Sequence, residues 1–465
     1  MTEVLSALVE IVGQDHVLSE DDLMAPYLTD WRRQFDSRAT AVVRPADTQE
    51  VSAVVVLCMR HGVGIVPIGG NTGLVGGAVA KDGQILLSLE RLSSIRSVDP
   101  LGATITVDSG CILRDVQDAA ARYDMLVPLS LSAEGRCQIG GNISTGAGGL
   151  NVVRYGTVRD QVLGLEVVLP DGRVLDAMRS LRKDTAGYDL KQLFIGAEGT
   201  LGIVTGAVLR LFPAPERQVT LWIATATLDA VLELFQQVRK AFGNLLTAFE
   251  YLSGSTVQVI SEYLGQSPPL AASAESHSVL IELAGSVSEL TDESVLDRFA
   301  AWQDDGLVDA SVMATDERKR DAIWRLRHSA SDAQKLAGTC IKHDIGLPTS
   351  SISEFVRRIP AELRKEVSEF QLFVFGHIGD GNLHFTVAQD RHSKSHDIEP
   401  KRHWINETVH SLVVRLGGTI SAEHGIGLLK RDALGRQIGD VGLSLMREVK
   451  RQFDPDGLMN PGKML

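Results

Sequence analysis

The chain has 465 residues, 44% hydrophobic and 23% charged, which is apolar mass enough for two or three cores. Acidic residues outnumber basic ones, 59 to 46, and no Lys/Arg-rich stretch is present, which argues against nucleic acid and leaves a small anionic substrate dependent on a local cationic pocket. No run reaches the roughly 18 apolar residues of a membrane span, and Cys58, Cys111, Cys137 and Cys340 lack metal or dithiol spacing, so the expectation is a soluble, cytoplasmic protein with buried thiols.

Met1 to Val12 reads as a short amphipathic helix. A helix from Thr48 to Arg60, capped by Asp47 or Thr48, and a strand from Gly64 to Ile68 lead into a glycine loop. Strands follow at Gln84 to Leu89 and Thr104 to Val107, then a helix from Leu113 to Tyr123 and strands Val162 to Leu169 and Gly202 to Phe212. The prolines of Phe212-Pro213-Ala214-Pro215 mark a domain boundary. Beyond it the pattern predicts strand Val219 to Ala226, helix Leu228 to Phe242, an exposed loop at Ser267 to Ser278, strand Val279 to Leu283 and a long helix from Glu317 to Leu336. The fold class is α+β, with expected divisions at 1–213, 214–420 and 421–465.

Pro67 to Gly77 holds five glycines in eleven residues directly after a predicted strand, which lets backbone N–H groups approach a diphosphate. The Rossmann spacing is absent, so a nicotinamide fold is disfavoured. Further glycine segments lie at Gly140 to Gly156 and Gly196 to Gly202. One such loop is commonly a plain turn; three together point to a large phosphate-bearing cofactor.

In these segments the chain resembles the FAD domain of the vanillyl-alcohol oxidase/p-cresol methylhydroxylase flavoprotein superfamily. The resemblance implies a two-part FAD-binding domain, an α+β substrate domain and a helical C-terminal segment that returns to the FAD domain. It assigns FAD contacts to Pro67, Gly69, Gly70, Asn71, Thr72, Gly73, Leu74, Gly76 and Gly77, and to Ser130, Glu134, Gly135, Gly140, Gly141, Asn142, Thr145, Gly148, Gly149, Tyr155 and Gly156. Glu198, Gly199, Gly202, Ile203, Asn460 and Lys463 complete that set, the last two within the N-P-G-K ending. Covalent members often attach flavin through a histidine of the first loop; this loop has none, so noncovalent FAD is expected.

Asp380-Gly381 is a two-residue hairpin signal between β-like runs, and pairing outward from it sets Gly379 opposite Asn382, Ile378 opposite Leu383 and His377 opposite His384. Opposed Cβ atoms lie roughly 4.5 to 5.5 Å apart, near enough for two imidazoles to share an ion. Glu423, in Ser421-Ala422-Glu423-His424-Gly425, offers a third ligand and leaves coordination positions open for substrate. Taken separately, the histidines read equally as cross-strand packing and Glu423-His424 as a loop charge pair.

With these residues the whole chain resembles the D-2-hydroxy-acid dehydrogenase branch of the superfamily. The resemblance implies that His377, His384 and Glu423 bind a divalent metal, zinc first and manganese second, and that His424 is the base. The expected mechanism has the substrate hydroxyl and C1 carboxylate chelating the metal, His424 taking the hydroxyl proton and flavin N5 accepting the hydride. For a second substrate carboxylate, Arg327 offers a bidentate grip and Lys342 a point charge. By resemblance these hold the distal carboxylate, joined by Thr386 and by Ser331 where the branch carries threonine. The expected reaction is D-2-hydroxyglutarate to 2-oxoglutarate, with D-malate a further substrate, ahead of D-lactate or glycolate on the same scaffold and of a colourless zinc hydrolase. Electron-transfer flavoprotein or a quinone is the expected acceptor, and a homodimer the expected assembly.

Overall fold

Asp47 starts the helix Thr48–Arg60 by accepting hydrogen bonds from the N–H groups of Gln49 and Glu50, and Val51, Val54, Val55 and Cys58 form its buried face. The computed structural model describes residues 1–389 and 397–465. The chain divides into two units, one of Met1–Gly149, Gly156–Ala214 and Glu423–Leu465, the other of Leu150–Tyr155 and Pro215–Ala422.

In the first unit, Ile65–Ile68 pairs in parallel with Ile85–Ser88, which pairs with Ala41–Val43, and Val17–Leu18 closes a four-stranded sheet. A second, antiparallel sheet runs in the order Ile95–Asp99, Thr104–Asp108, Ile203–Arg210, Val162–Val168, Val174–Ala177. Its two edge strands have mostly exposed or half-buried side chains, and so lack the apolar alternation by which sequence reading finds a strand. The chain ends inside this unit. Met459 bridges to Ile65, and Lys450 donates to the carbonyls of Thr200 and Met459, both at 2.7 Å.

The second unit is built on a seven-stranded antiparallel sheet, in the order Ala310–Met313, Arg217–Thr225, His277–Gly285, Leu246–Ser253, Gln371–Gly376, Asn382–Ala388, Cys340–Gly346. Alternation sorts its side chains between two faces. Ile341, Ile345, Leu383, Phe385, Val387, Val374, Phe249 and Ile281 enter the larger core beneath the helices Leu228–Phe242, Asp292–Asp304, Ile352–Leu363 and Arg402–Arg415. Trp222, Leu252, Leu280, Phe373 and Phe375 enter a smaller one with the helices Gly254–Leu264 and Glu317–Ala333. The long helix ends at Ala333, before the expected Leu336, and tightens into a 3-10 turn over Gln334–Ala337.

The hairpin differs from its expectation. Ile378–Asp380 forms a 3-10 turn, Gly381 takes φ +89°, and Asn382 N–H donates to the His377 carbonyl at 3.2 Å. Four residues, 378–381, therefore form the connection instead of two. The register shifts so that Phe375 lies opposite His384.

Candidate active site

In the first unit the glycine segments pack on one another. A Cβ on Gly70 would stand 2.1 Å from the Arg136 carbonyl oxygen, one on Gly149 2.4 Å from that of Ser130, and one on Gly199 2.5 Å from the Pro67 ring. Gly69 faces Gln138 and Gly141, and Gly140 faces Ser109. At Gly70, Gly149 and Gly199 the neighbouring atoms come so close that only glycine fits. Beside them Gln138 Oε1 and Ser109 Oγ are buried without a hydrogen-bond partner among the described residues, as a cradle for a polar group requires. The cradle fits FAD on these grounds.

Several polar residues assigned to FAD have other partners. Asn71 Nδ2 donates to the carbonyls of Tyr27 and Thr29, Asn460 Nδ2 to those of Gly77 and Glu198, and Thr145 Oγ1 to that of Gly141. The Glu134 carboxylate receives Arg114 and Gln117. These side chains hold the loops in shape. Lys463 is 2% exposed, and burial with a contribution from Lys81 lowers its pKa to about 8. Tyr155, expected with the FAD domain, belongs to the second unit.

Glu423 and His424 also lie in the first unit, Glu423 Oε1 standing 3.6 Å from His424 Nε2. The loop after them is clamped by Glu198, whose carboxylate accepts the N–H groups of Ile426 at 2.6 Å and Gly427 at 2.8 Å. Burial pushes the Glu198 carboxyl up against the pull of those two N–H groups and of Lys430. Glu198, which the resemblance assigns to FAD, also shapes the turn that carries His424.

The second unit gathers the remaining candidates on the smaller-core face of its sheet. Asp344 pairs with His384, and Lys342 with Thr386, so these four share that face with Phe375 and Phe373. His377 is diagonal to His384, their ring centroids 5.8 Å apart, while ligand atoms of Asp344 and His384 lie within 4.8 Å. An imidazole and a carboxylate at that distance suit a divalent metal; His377, expected as a ligand, is not part of that close group.

Above this face, Arg327, Ser331 and Gln334 recur at the spacing of one helical stripe, and each meets a sheet residue. Arg327 Nε donates to Glu250 Oε2 at 2.5 Å, Lys342 Nζ donates to the Ser331 carbonyl at 2.7 Å, and Thr386 Oγ1 bonds Gln334 Oε1 at 3.0 Å. Thr386, expected at the substrate, is 1% exposed and its hydroxyl bonds Gln334.

Glu250 is the residue sequence reading missed. It lies on Leu246–Ser253, a strand not expected, and its other oxygen accepts from His377 Nδ1. Burial alone would push its carboxyl up, but the Arg327 charge and His377 outweigh that and hold it at about 2. Asp344 was missed as well, although the alternation of Ile341-Lys342-His343-Asp344-Ile345 carries its signal.

Residues 39–178 match the family described as FAD binding domain, and residues 214–464 match FAD linked oxidases, C-terminal domain. The chain is 36% identical over 461 residues to a mitochondrial D-2-hydroxyglutarate dehydrogenase of Bos taurus, covering 99% of this chain and 83% of that one. It is 32% identical to a D-2-hydroxyglutarate–pyruvate transhydrogenase of Saccharomyces cerevisiae, covering 100% and 94%. Among solved structures, p-cresol methylhydroxylase with substrate bound superimposes at a TM-score of 0.75 with 18% identity, covering 100% of this chain and 96% of that one. Among the described residues no helix is long and apolar enough to cross a membrane. The expected cytoplasmic setting is corrected: the Bos taurus relative and one from Arabidopsis thaliana, 33% identical over 99% of this chain and 81% of that one, are named mitochondrial, not cytoplasmic. On full-length identity and both matched domains, the chain belongs to the D-2-hydroxyglutarate dehydrogenase family of FAD-dependent D-2-hydroxy-acid dehydrogenases, with the fold of p-cresol methylhydroxylase.

Proposed function

We propose that the chain oxidises D-2-hydroxyglutarate to 2-oxoglutarate, and D-malate in the same way, with noncovalent FAD and a divalent metal. The observation that carries this reading is the pair of cations on the smaller-core face of the second unit: Arg327, which lies over Phe375 and shares the Glu250 carboxylate with His377, and Lys342, two residues from Asp344. A monocarboxylate has no use for two cations beyond its reacting end; a dicarboxylate has.

FAD supplies the two-electron acceptor, and the metal supplies Lewis-acid polarisation of the substrate hydroxyl. His377, His384 and Glu423 would hold the metal, zinc first and manganese second, with Asp344 a further oxygen donor. His424 takes the hydroxyl proton as the C2–H bond breaks and the carbonyl forms, so that one proton and one hydride leave the carbinol. The Glu198 clamp on Ile426 and Gly427 keeps the His424 loop from drifting during that transfer. Arg327 and Lys342 hold the distal carboxylate, and Ser331 steadies the lysine. Electrons leave to an electron-transfer flavoprotein or a quinone, and the working assembly is a homodimer.

Steady-state kinetics with D-2-hydroxyglutarate, D-malate and D-lactate test the reading. The dicarboxylates are expected to give the higher kcat/KM; a clear preference for D-lactate would overturn the assignment.

A further inference from the structure

Glu250 has no part in the reaction as read above, yet it is wholly buried and divides its carboxylate between two residues of that reading. Oε1 accepts from His377 Nδ1 and Oε2 from Arg327 Nε at 2.5 Å. Phe375 packs against both sides of the site, its ring centroid 5.0 Å from the Arg327 guanidinium carbon and 4.9 Å from the His384 ring. A buried carboxylate is tolerated only when paired and hydrogen-bonded, and here both partners belong to the candidate site.

An imidazole that donates from Nδ1 to an ionised carboxylate carries its proton there and leaves the Nε2 lone pair outward, the arrangement that orients metal-binding histidines. We propose that Glu250 is a positioning residue that sets two parts of the site at once: it holds His377 as the Nδ1–H tautomer with Nε2 as the ligating atom, and it fixes the Arg327 guanidinium one carboxylate's width from that imidazole. The task of Nε2 rests on the metal reading; the tautomer does not.

Glutamine cannot replace this carboxylate. An amide has one acceptor oxygen, and Arg327, always charged, takes it. The amide NH2 then faces His377 Nδ1 and drives the proton to Nε2, blocking the ligating atom.

Nitrogen-15 imidazole spectra of the full-length, flavin-loaded protein read the tautomer directly, with His377 assigned by its loss in His377→Gln. Protonated Nδ1 is expected; protonated Nε2 overturns the proposal. In Glu250→Gln, zinc affinity measured by competition with a chromophoric chelator is expected to weaken roughly 10–100-fold. KM for D-2-hydroxyglutarate should rise more than kcat falls, with flavin absorbance reporting an intact fold. Wild-type zinc affinity in that variant would also overturn the proposal. Should the variant fail to fold, the wild-type spectrum decides alone. A wild-type protein that binds no divalent cation but shows protonated Nδ1 removes the metal reading and leaves the hold of Glu250 on His377 standing.

Discussion

Phe375 and His384 face each other across neighbouring strands, and on its other side His384 faces Asp344. The imidazole is thus flanked by a ring at 4.9 Å and by a carboxylate whose Oδ1 receives Asn382 Nδ2 at 2.9 Å. That carboxylate is fixed, buried and near enough to share an ion with the imidazole.

Asp344→Asn should therefore weaken the affinity for added zinc by about tenfold or more while leaving flavin absorbance unchanged. Chelator competition on the full-length protein measures it. Equal zinc affinity in variant and wild type would remove Asp344 from the ligand set.

The glycine cradle and the hairpin were legible in the sequence to different depths. Gly70, Gly149 and Gly199 announce close backbone approach by composition alone, because no other residue tolerates those contacts. The hairpin announced itself through Asp380-Gly381, but that dipeptide also closes a four-residue connection. The extra two residues moved His377 from opposite His384 to diagonal, on the same face only because the shift is even. Glu250 could not be found this way. Its partners are 77 and 127 residues away, and an acid within the apolar run of Leu246–Ser253 carries no local signal of what it pairs with.

Gly70→Ala and Gly73→Ala separate packing from composition. The first would drive a methyl into the Arg136 carbonyl; the second meets nothing within 4 Å. Gly70→Ala is expected to cost about 1–3 kcal/mol and to lower the flavin retained on purification, with Gly73→Ala near wild type in both. Thermal unfolding and the ratio of flavin to protein absorbance check this pair.

Glu198→Ala leaves the N–H groups of Ile426 and Gly427 without their acceptor. Each unsatisfied donor costs about 1–3 kcal/mol, so Tm should drop. The expected kinetic signature is a fall in kcat of at least about tenfold with little change in KM, since the loop carries His424 rather than the substrate grip. A variant that lost stability but kept kcat would show the clamp to be structural only.

Acid stability tests the Glu250 pair. Its carboxyl titrates at about 2 in the folded protein against an ordinary value of 4.5, so the unfolded chain takes up this proton first as pH falls. The stabilisation is complete above 4.5 and is lost progressively toward 2. Glu250→Gln should be less stable than wild type at pH 6, and the gap in Tm should narrow as pH falls to about 3. A gap independent of pH would mean that the charge does not hold the pair.

Lys342→Met distinguishes a dicarboxylate site from a monocarboxylate one. Lys342 is half-buried and held by Ser331 through its carbonyl at 2.7 Å and its hydroxyl at 3.2 Å, so its charge is kept in place. Methionine preserves the aliphatic stem and removes only the ammonium. A hydrogen bond to a charged group contributes about 1.5–3 kcal/mol, which corresponds to roughly a 10–150-fold loss in kcat/KM for D-2-hydroxyglutarate. D-lactate, lacking the distal carboxylate, should be affected less than about threefold. The ratio of the two specificity constants is the quantity to measure, because a general disturbance of the strand Cys340–Gly346 lowers both together, whereas loss of a carboxylate grip lowers only one.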